Sequence, residues 1–222
     1  MKARRLQVSG SPVPDQQGRN GSLSRIAGSR RHDGLWRRWT VIVLLTLFAF
    51  AGLTVSPSRA DQNHPQLDTL FAQLKQAKSF ETAHALSDRI WSIWITNEKD
   101  SINILMRQGM RAMQSGDFAT AYDYFTTMTD LEPDFAEAWN KRATVLFLIG
   151  DLDGSIKDVE RTLALEPRHF GALTGLGMIN DALEDEEAAL DAYEAALDLH
   201  PYLPDATFRA EQLRKSLEGR RI

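Results

Sequence analysis

The sequence predicts an all-α fold, a solenoid of stacked helix-turn-helix units, and three observations carry that reading. Pro133, Pro167 and Pro201 stand 34 residues apart, each just after a Leu-Glu or Leu-His step (Leu131-Glu132, Leu165-Glu166, Leu199-His200). Apolar residues between them recur at helical spacing, as in Leu105, Met106, Gly109 and Met113. Small and large residues also return at fixed offsets. A fixed period of this length marks stacked repeats, because one such unit cannot bury its own apolar face.

The elements follow in chain order. Residues 1–34 are rich in Arg, Ser, Gly, Pro and Gln without apolar periodicity, the composition of a disordered basic extension. Residues 35–60 carry Arg37-Arg38, an apolar run from Val41 to Val55, and the small-residue ending Ser58-Arg59-Ala60. A positive flank, a short apolar core and a small-x-small ending form the layout of a secretory signal, with cleavage expected after Ala60. The alternative is an anchor in which residues 39–55 stay in the bilayer, at the lower edge of a spanning length. Residues 61–101 hold two apolar stripes, Leu67, Leu70, Phe71 and Leu74, then Phe80, Leu86, Ile90, Trp91, Ile93 and Trp94. They fit a degenerate repeat, or an N-terminal cap whose Trp pair covers the first full unit.

Three units follow, 102–135, 136–169 and 170–203. A large apolar residue comes fourth (Leu105, Trp139, Leu173) and a small one eighth (Gly109, Ala143, Gly177). A turn comes next, at Gly116-Asp117, Gly150-Asp151 and Glu184-Asp185. Glycine there accepts φ > 0 at a helix end, and aspartate caps the next helix. The second helix pairs a small residue with a large one four later: Ala121/Phe125, Ser155/Val159, Ala189/Tyr193. Proline then ends it, since the residue before it is pushed from the α region. Residues 204–222 open at Pro204-Asp205 and form a more polar helix suited to cap the array.

On these residues the chain resembles the tetratricopeptide-repeat (TPR) family, whose Trp, Leu-Gly, Tyr, Ala, Phe and Pro pattern each unit meets in part. Departures are Gln108 and Arg142 at a usual Leu position, and Ala112 and Asn180 at a usual Tyr position. They point to drifted repeats or to polar contacts in place of apolar ones. Ala138-Trp139-Asn140-Lys141-Arg142-Ala143 and Ile90-Trp91-Ser92-Ile93-Trp94 further resemble small exported bacterial TPR proteins of the cell envelope.

The resemblance implies a right-handed α-solenoid whose first helices line a concave groove that holds a protein or peptide partner. Groove positions by family pattern are Asn103, Met106, Met110 and Met113 in the first unit. In the second they are Glu137, Asn140, Thr144 and Phe147, and in the third Gly171, Thr174, Met178 and Asp181. A methionine lining suits adaptable apolar contact, and the Asn140 amide is placed to hold an extended peptide backbone. Equally, Met106, Met110 and Met113 fit as packing beneath the N-terminal helix pair. The TPR proteins that clamp a C-terminal carboxylate use Lys, Asn and Arg where this chain has Met106, Met110, Gly171 and Gly175. That mode of binding is not expected.

No catalytic, cofactor or metal site emerges. The 222 residues include no Cys, which removes thiol chemistry, thiolate metal sites and disulfides. His64, His84, His169 and His200 show no metal-ligand spacing. Asp151-x-Asp153-Gly154 lacks the downstream Glu of a calcium loop, and Glu184 to Glu187 read as a solvated helix start. An enzyme or glycan-binding reading has only Asp181 with Glu137 to offer. The formal net charge of −4 conceals a basic first 60 residues, with ten Lys/Arg against two acids, and an acidic remainder of net −12. An acidic body disfavours nucleic acid and anionic membrane surfaces, leaving membrane contact to the N-terminal segment.

Overall fold

A computed structural model describes residues 61–220; the extension at 1–34 and the signal or anchor at 35–60 lie outside the described residues. A short 3₁₀ turn at Asp61–Asn63 leads into nine helices. These are α1 (Leu67–Lys75), α2 (Phe80–Trp94), α3 (Asp100–Gln114), α4 (Phe118–Leu131) and α5 (Ala136–Leu148), then α6 (Leu152–Leu165), α7 (Phe170–Ala182), α8 (Glu186–Leu199) and α9 (Pro204–Arg220). The described residues hold no strand, and none of their helices is long and apolar enough to cross a membrane. Successive helices α3 to α9 pack as antiparallel neighbours, which makes the body an α-solenoid.

The inter-helix turns are built alike. Gly116 and Gly150 adopt φ of +78° and +84°, the conformation that favours glycine. Glu184 occupies the same place in the third unit at φ +61°, a strained position for a residue with a Cβ. In each turn the following Asp N–H reaches back to a carbonyl of the ended helix: Asp117 to Ala112, Asp151 to Leu146, Asp185 to Asn180. Each Asp carboxylate then accepts the N–H three residues on, from Thr120, Gly154 and Ala188. The turn therefore satisfies both the orphan carbonyls it leaves and the orphan donors it begins.

Each unit's interior is a fit between one small and one large residue. A Cβ on Gly109 would lie 2.6 Å from the Phe125 ring, and one on Gly177 would lie 2.6 Å from Tyr193. In the second unit alanine returns at Ala143, against the smaller Val159. Glycine is thus required where the partner is aromatic. Gly109→Ala is expected to cost about 1–3 kcal/mol through overpacking. Phe125→Val should recover much of that cost in the double variant, a coupling that denaturant unfolding of the full cycle measures.

Arg142 shows what replaced the apolar contact at its position. Its guanidinium forks onto Asp158 at 2.6 and 2.8 Å, donates to the Thr129 hydroxyl, and lies 4.8 Å from the Trp139 ring centroid. At the C-terminal end α9 packs Ala206, Ala210 and Leu213 on Ala189 and Tyr193 of α8.

The N-terminal pair does not sit where a cap for the first unit would. Leu67, Leu70, Phe71, Leu74, Ile90 and Trp94 share a core with Phe170 of the third unit, flanked by Leu199, Tyr202 and Leu203. Gln62 donates to the Asp134 carbonyl, Arg168 pairs with Asp68 at 2.7 Å, and the Tyr202 hydroxyl reaches the Ala77 carbonyl at 3.5 Å. The pair therefore runs past the loops that join successive units, and its tryptophans seat on the third. Aromatic area decides the placement: Phe170 and His169 offer rings for Trp94 and Trp91 to pack on.

Candidate functional site

The groove is lined by α5 and α7 and continues to α9. Thr144, Phe147, Leu148, Thr174, Gly175 and Met178 form its central part, a hollow of about 370 Å³ with Trp91 at one end. Phe147, Thr174 and Met178 also line the next hollow, where Tyr193, Phe208 and the Asp181–Arg209 pair complete the wall. Gly171 is the point at which Trp91 enters: a Cβ there would lie 2.7 Å from the indole. Gly175 faces open space.

Several expected groove residues are elsewhere. Met106 is buried with Ile102, Phe125 and Met128, and half-buried Met110 and Met113 pack on the same cluster. The three methionines thus serve the first unit's own core, and Asn103, Met106 and Met110 also line a separate hollow of about 500 Å³ with Ile95, Thr96 and Ile104. Asn103 clamps the loop after α2, its side chain accepting from the Asn97 N–H and donating to the Asn97 carbonyl, both at 2.8 Å. Glu137 is buried at 1% exposure, and Asn140, at 6%, contributes to the floor of the central hollow. Asp181 is held by Arg209 at 2.6 and 2.9 Å and by the Tyr193 hydroxyl at 2.9 Å. Arg209 holds the Asp181 carboxyl below its ordinary range, and burial together with that carboxylate pushes the Tyr193 hydroxyl up. Asn140, Thr144, Phe147, Gly171, Thr174, Met178 and Asp181 do line the groove.

Beneath Trp91 lies a buried polar cluster. The His169 Nδ1 accepts the Ala172 N–H at 3.0 Å and so caps α7. Its Nε2 therefore carries the proton and donates it to Glu137 at 2.8 Å. Glu137 also accepts from the Asn140 amide at 3.0 Å and pairs with Lys141 at 2.9 Å. Burial raises the Glu137 carboxyl, but the Lys141 ammonium and the His169 N–H outweigh it and bring it down to about 2. Trp94 stacks on the His169 ring, 4.1 Å between centroids and 10° from parallel. Each acid here has its own base, so Glu137 and Asp181 offer no free carboxylate pair. Among the described residues no group of three His, Asp or Glu is placed to hold a metal ion.

Trp91, Lys141, Leu148, Gly175 and Phe208 line the groove without having been expected there. Phe208 had a signal, since it stands 34 residues after Thr174 and continues the period into α9. Trp91 had none, because it arrives from a separate helix pair.

Comparison with known proteins agrees with this geometry. The tetratricopeptide-repeat family model matches residues 106–161 and 149–204. A TPR repeat-containing protein of Rhizobium etli is 35% identical over 156 residues, 70% of this chain and 76% of that one. The human tetratricopeptide repeat protein 36 is 40% identical over 58 residues, 26% of this chain and 31% of its own length. Among solved structures, the first TPR domain of Spaghetti (RPAP3) bound to the HSP90 peptide SRMEEVD aligns with a TM-score of 0.52 and 23% identity. It covers 55% of this chain and 96% of that one. MamA aligns with a TM-score of 0.50 at 19% identity, covering 63% and 79%. Helix pairs at a 34-residue period, glycine facing aromatic residues, the family match and the Rhizobium relative converge: the chain belongs to the tetratricopeptide-repeat family.

Proposed function

We propose that this protein is a non-catalytic scaffold of the bacterial periplasm or cell envelope that binds a protein partner in the groove between Trp91 and Phe208. The observation that carries the binding role is the groove itself: concave, apolar and open over Met178, which is 44% exposed. An exposed apolar surface of this kind, set in a repeat family whose members mediate protein association, suits a partner's side chains. The first TPR domain of RPAP3, of the same fold, is bound to an HSP90 peptide, which supports a peptide or protein partner here. The envelope location rests on the basic flank, apolar run and Ala60 ending of residues 35–60.

Met178→Glu places a charge on the open groove wall without disturbing the core. Quantitative pull-down from the native host is expected to lose the partners recovered by wild type by about tenfold. Unchanged recovery would count against the groove. For location, intact mass should begin at Asp61 in an extracytoplasmic fraction. A longer mass that resists alkaline carbonate extraction would support the retained anchor instead.

A further inference from the structure

Most of the groove's polar side chains already bond within the protein. The Thr144 and Thr174 hydroxyls donate to their own helix at Asn140 and Phe170, at 2.9 and 2.8 Å. The Asn140 side-chain N–H donates to Glu137 at 3.0 Å, and the residue is 6% exposed. Lys141 is held between Glu137 and the Trp91 ring, 5.0 Å from its centroid, and Arg209 is forked onto Asp181. What an occupant meets is Trp91, Phe147, Met178 and Phe208 over an open Gly175.

An extended peptide brings an N–H and a C=O at every residue, and each must find a partner when buried. This groove offers no ladder of such partners. A helix satisfies its own backbone and needs only an apolar seat. Asp205 stands at the Phe208 end, and residues 61–222 carry net −12. That charge complements basic residues on an occupant's outer face.

We propose that the groove takes an amphipathic α-helix of a partner protein, its apolar side against Trp91, Phe147, Met178 and Phe208 and its polar side basic. This rests on the reading of the groove as a partner site. It deepens that reading by excluding an extended or carboxylate-anchored ligand.

The test is an anisotropy titration of the full chain with labelled synthetic peptides. One is a leucine–lysine peptide of about 18 residues with apolar positions at helical spacing. Its isomer of equal composition alternates strictly, as a strand does. The third is a leucine–glutamate peptide of the helical pattern, and the fourth is SRMEEVD, the peptide bound by RPAP3. The helical leucine–lysine peptide is expected to bind about tenfold or more tighter than each of the others. Gly175→Leu fills the open floor and replaces a mid-helix glycine, so it should lower that binding by about tenfold while thermal stability holds or rises. If the alternating peptide or SRMEEVD binds as well and loses affinity in Gly175→Leu, the helix is overturned and the groove stands. Equal binding by the leucine–glutamate peptide overturns the basic face. If no peptide responds to Gly175→Leu, the helix and the groove fall together.

Discussion

Trp94→Ala is expected to destabilise the protein by about 3–5 kcal/mol, the range for removing a buried tryptophan. The side chain is 1% exposed and holds three separate parts of the chain at once. Its ring stacks on His169, lies 5.1 Å from Phe170 and 5.8 Å from Phe71, and meets Trp91 edge-on at 5.3 Å. Without it, the α1–α2 pair loses the centre of its core against the third unit. Denaturant unfolding measures the loss. Limited proteolysis should then cut the segments around residues 76–79 and 95–99 first, while the helical signal of α3 to α9 persists. A loss under about 1 kcal/mol would mean the pair is seated by the α1 leucines rather than by the aromatic cluster.

Glu137→Ala is expected to cost about 3 kcal/mol or more, because it removes one side of a buried pair and strands the others. Lys141 would keep a charge at 16% side-chain exposure, and the His169 and Asn140 donors would lose their acceptor. Glu137→Gln keeps an acceptor for both and should cost less, which separates hydrogen bonding from charge. The pH dependence has a definite sign. The folded Glu137 carboxyl is held near about 2, below the value of about 4.3 for an unfolded Glu. The folded state therefore binds fewer protons than the unfolded state in between. Its stabilisation is complete above the unfolded pKa and is lost as pH falls toward the folded one. Asp181, lowered by Arg209, adds in the same direction. Thermal midpoints of wild type should fall as pH drops from about 5 to 2, and those of Glu137→Gln should fall less steeply.

The repeat was legible because its signals are local. Gly116 and Gly150 announce φ > 0, Asp117, Asp151 and Asp185 announce caps, and Pro133, Pro167 and Pro201 follow helix ends. Each depends on residues a few positions away. The third-unit groove positions Thr174 and Met178 were legible for a similar reason, since a helix face is fixed by its own spacing. Met106 and Glu137 were not, because only packing from other elements decides whether an inner-helix residue is exposed. Phe125 buries the first and the Trp91–Trp94 cover buries the second. The seat of the Trp pair was illegible for the deepest reason. Stacked repeats touch their neighbours in sequence, and nothing local announces a helix pair that docks on the third unit.

That docking alters how the array can come apart. A linear stack of repeats loses its end units piecemeal, because each touches only the next. Here Asp68 meets Arg168, 100 residues away, and Ala77 meets Tyr202, 125 residues away. The chain's described beginning is thereby tied to the loops before its third unit and its last helix. Peeling α1–α2 must break the aromatic core they share with Phe170 of the third unit, so the described beginning of the chain cannot fray without loosening that unit. Release of α1–α2 is thereby coupled to the third unit rather than to a sequence neighbour, at the cost of closing long loops during folding.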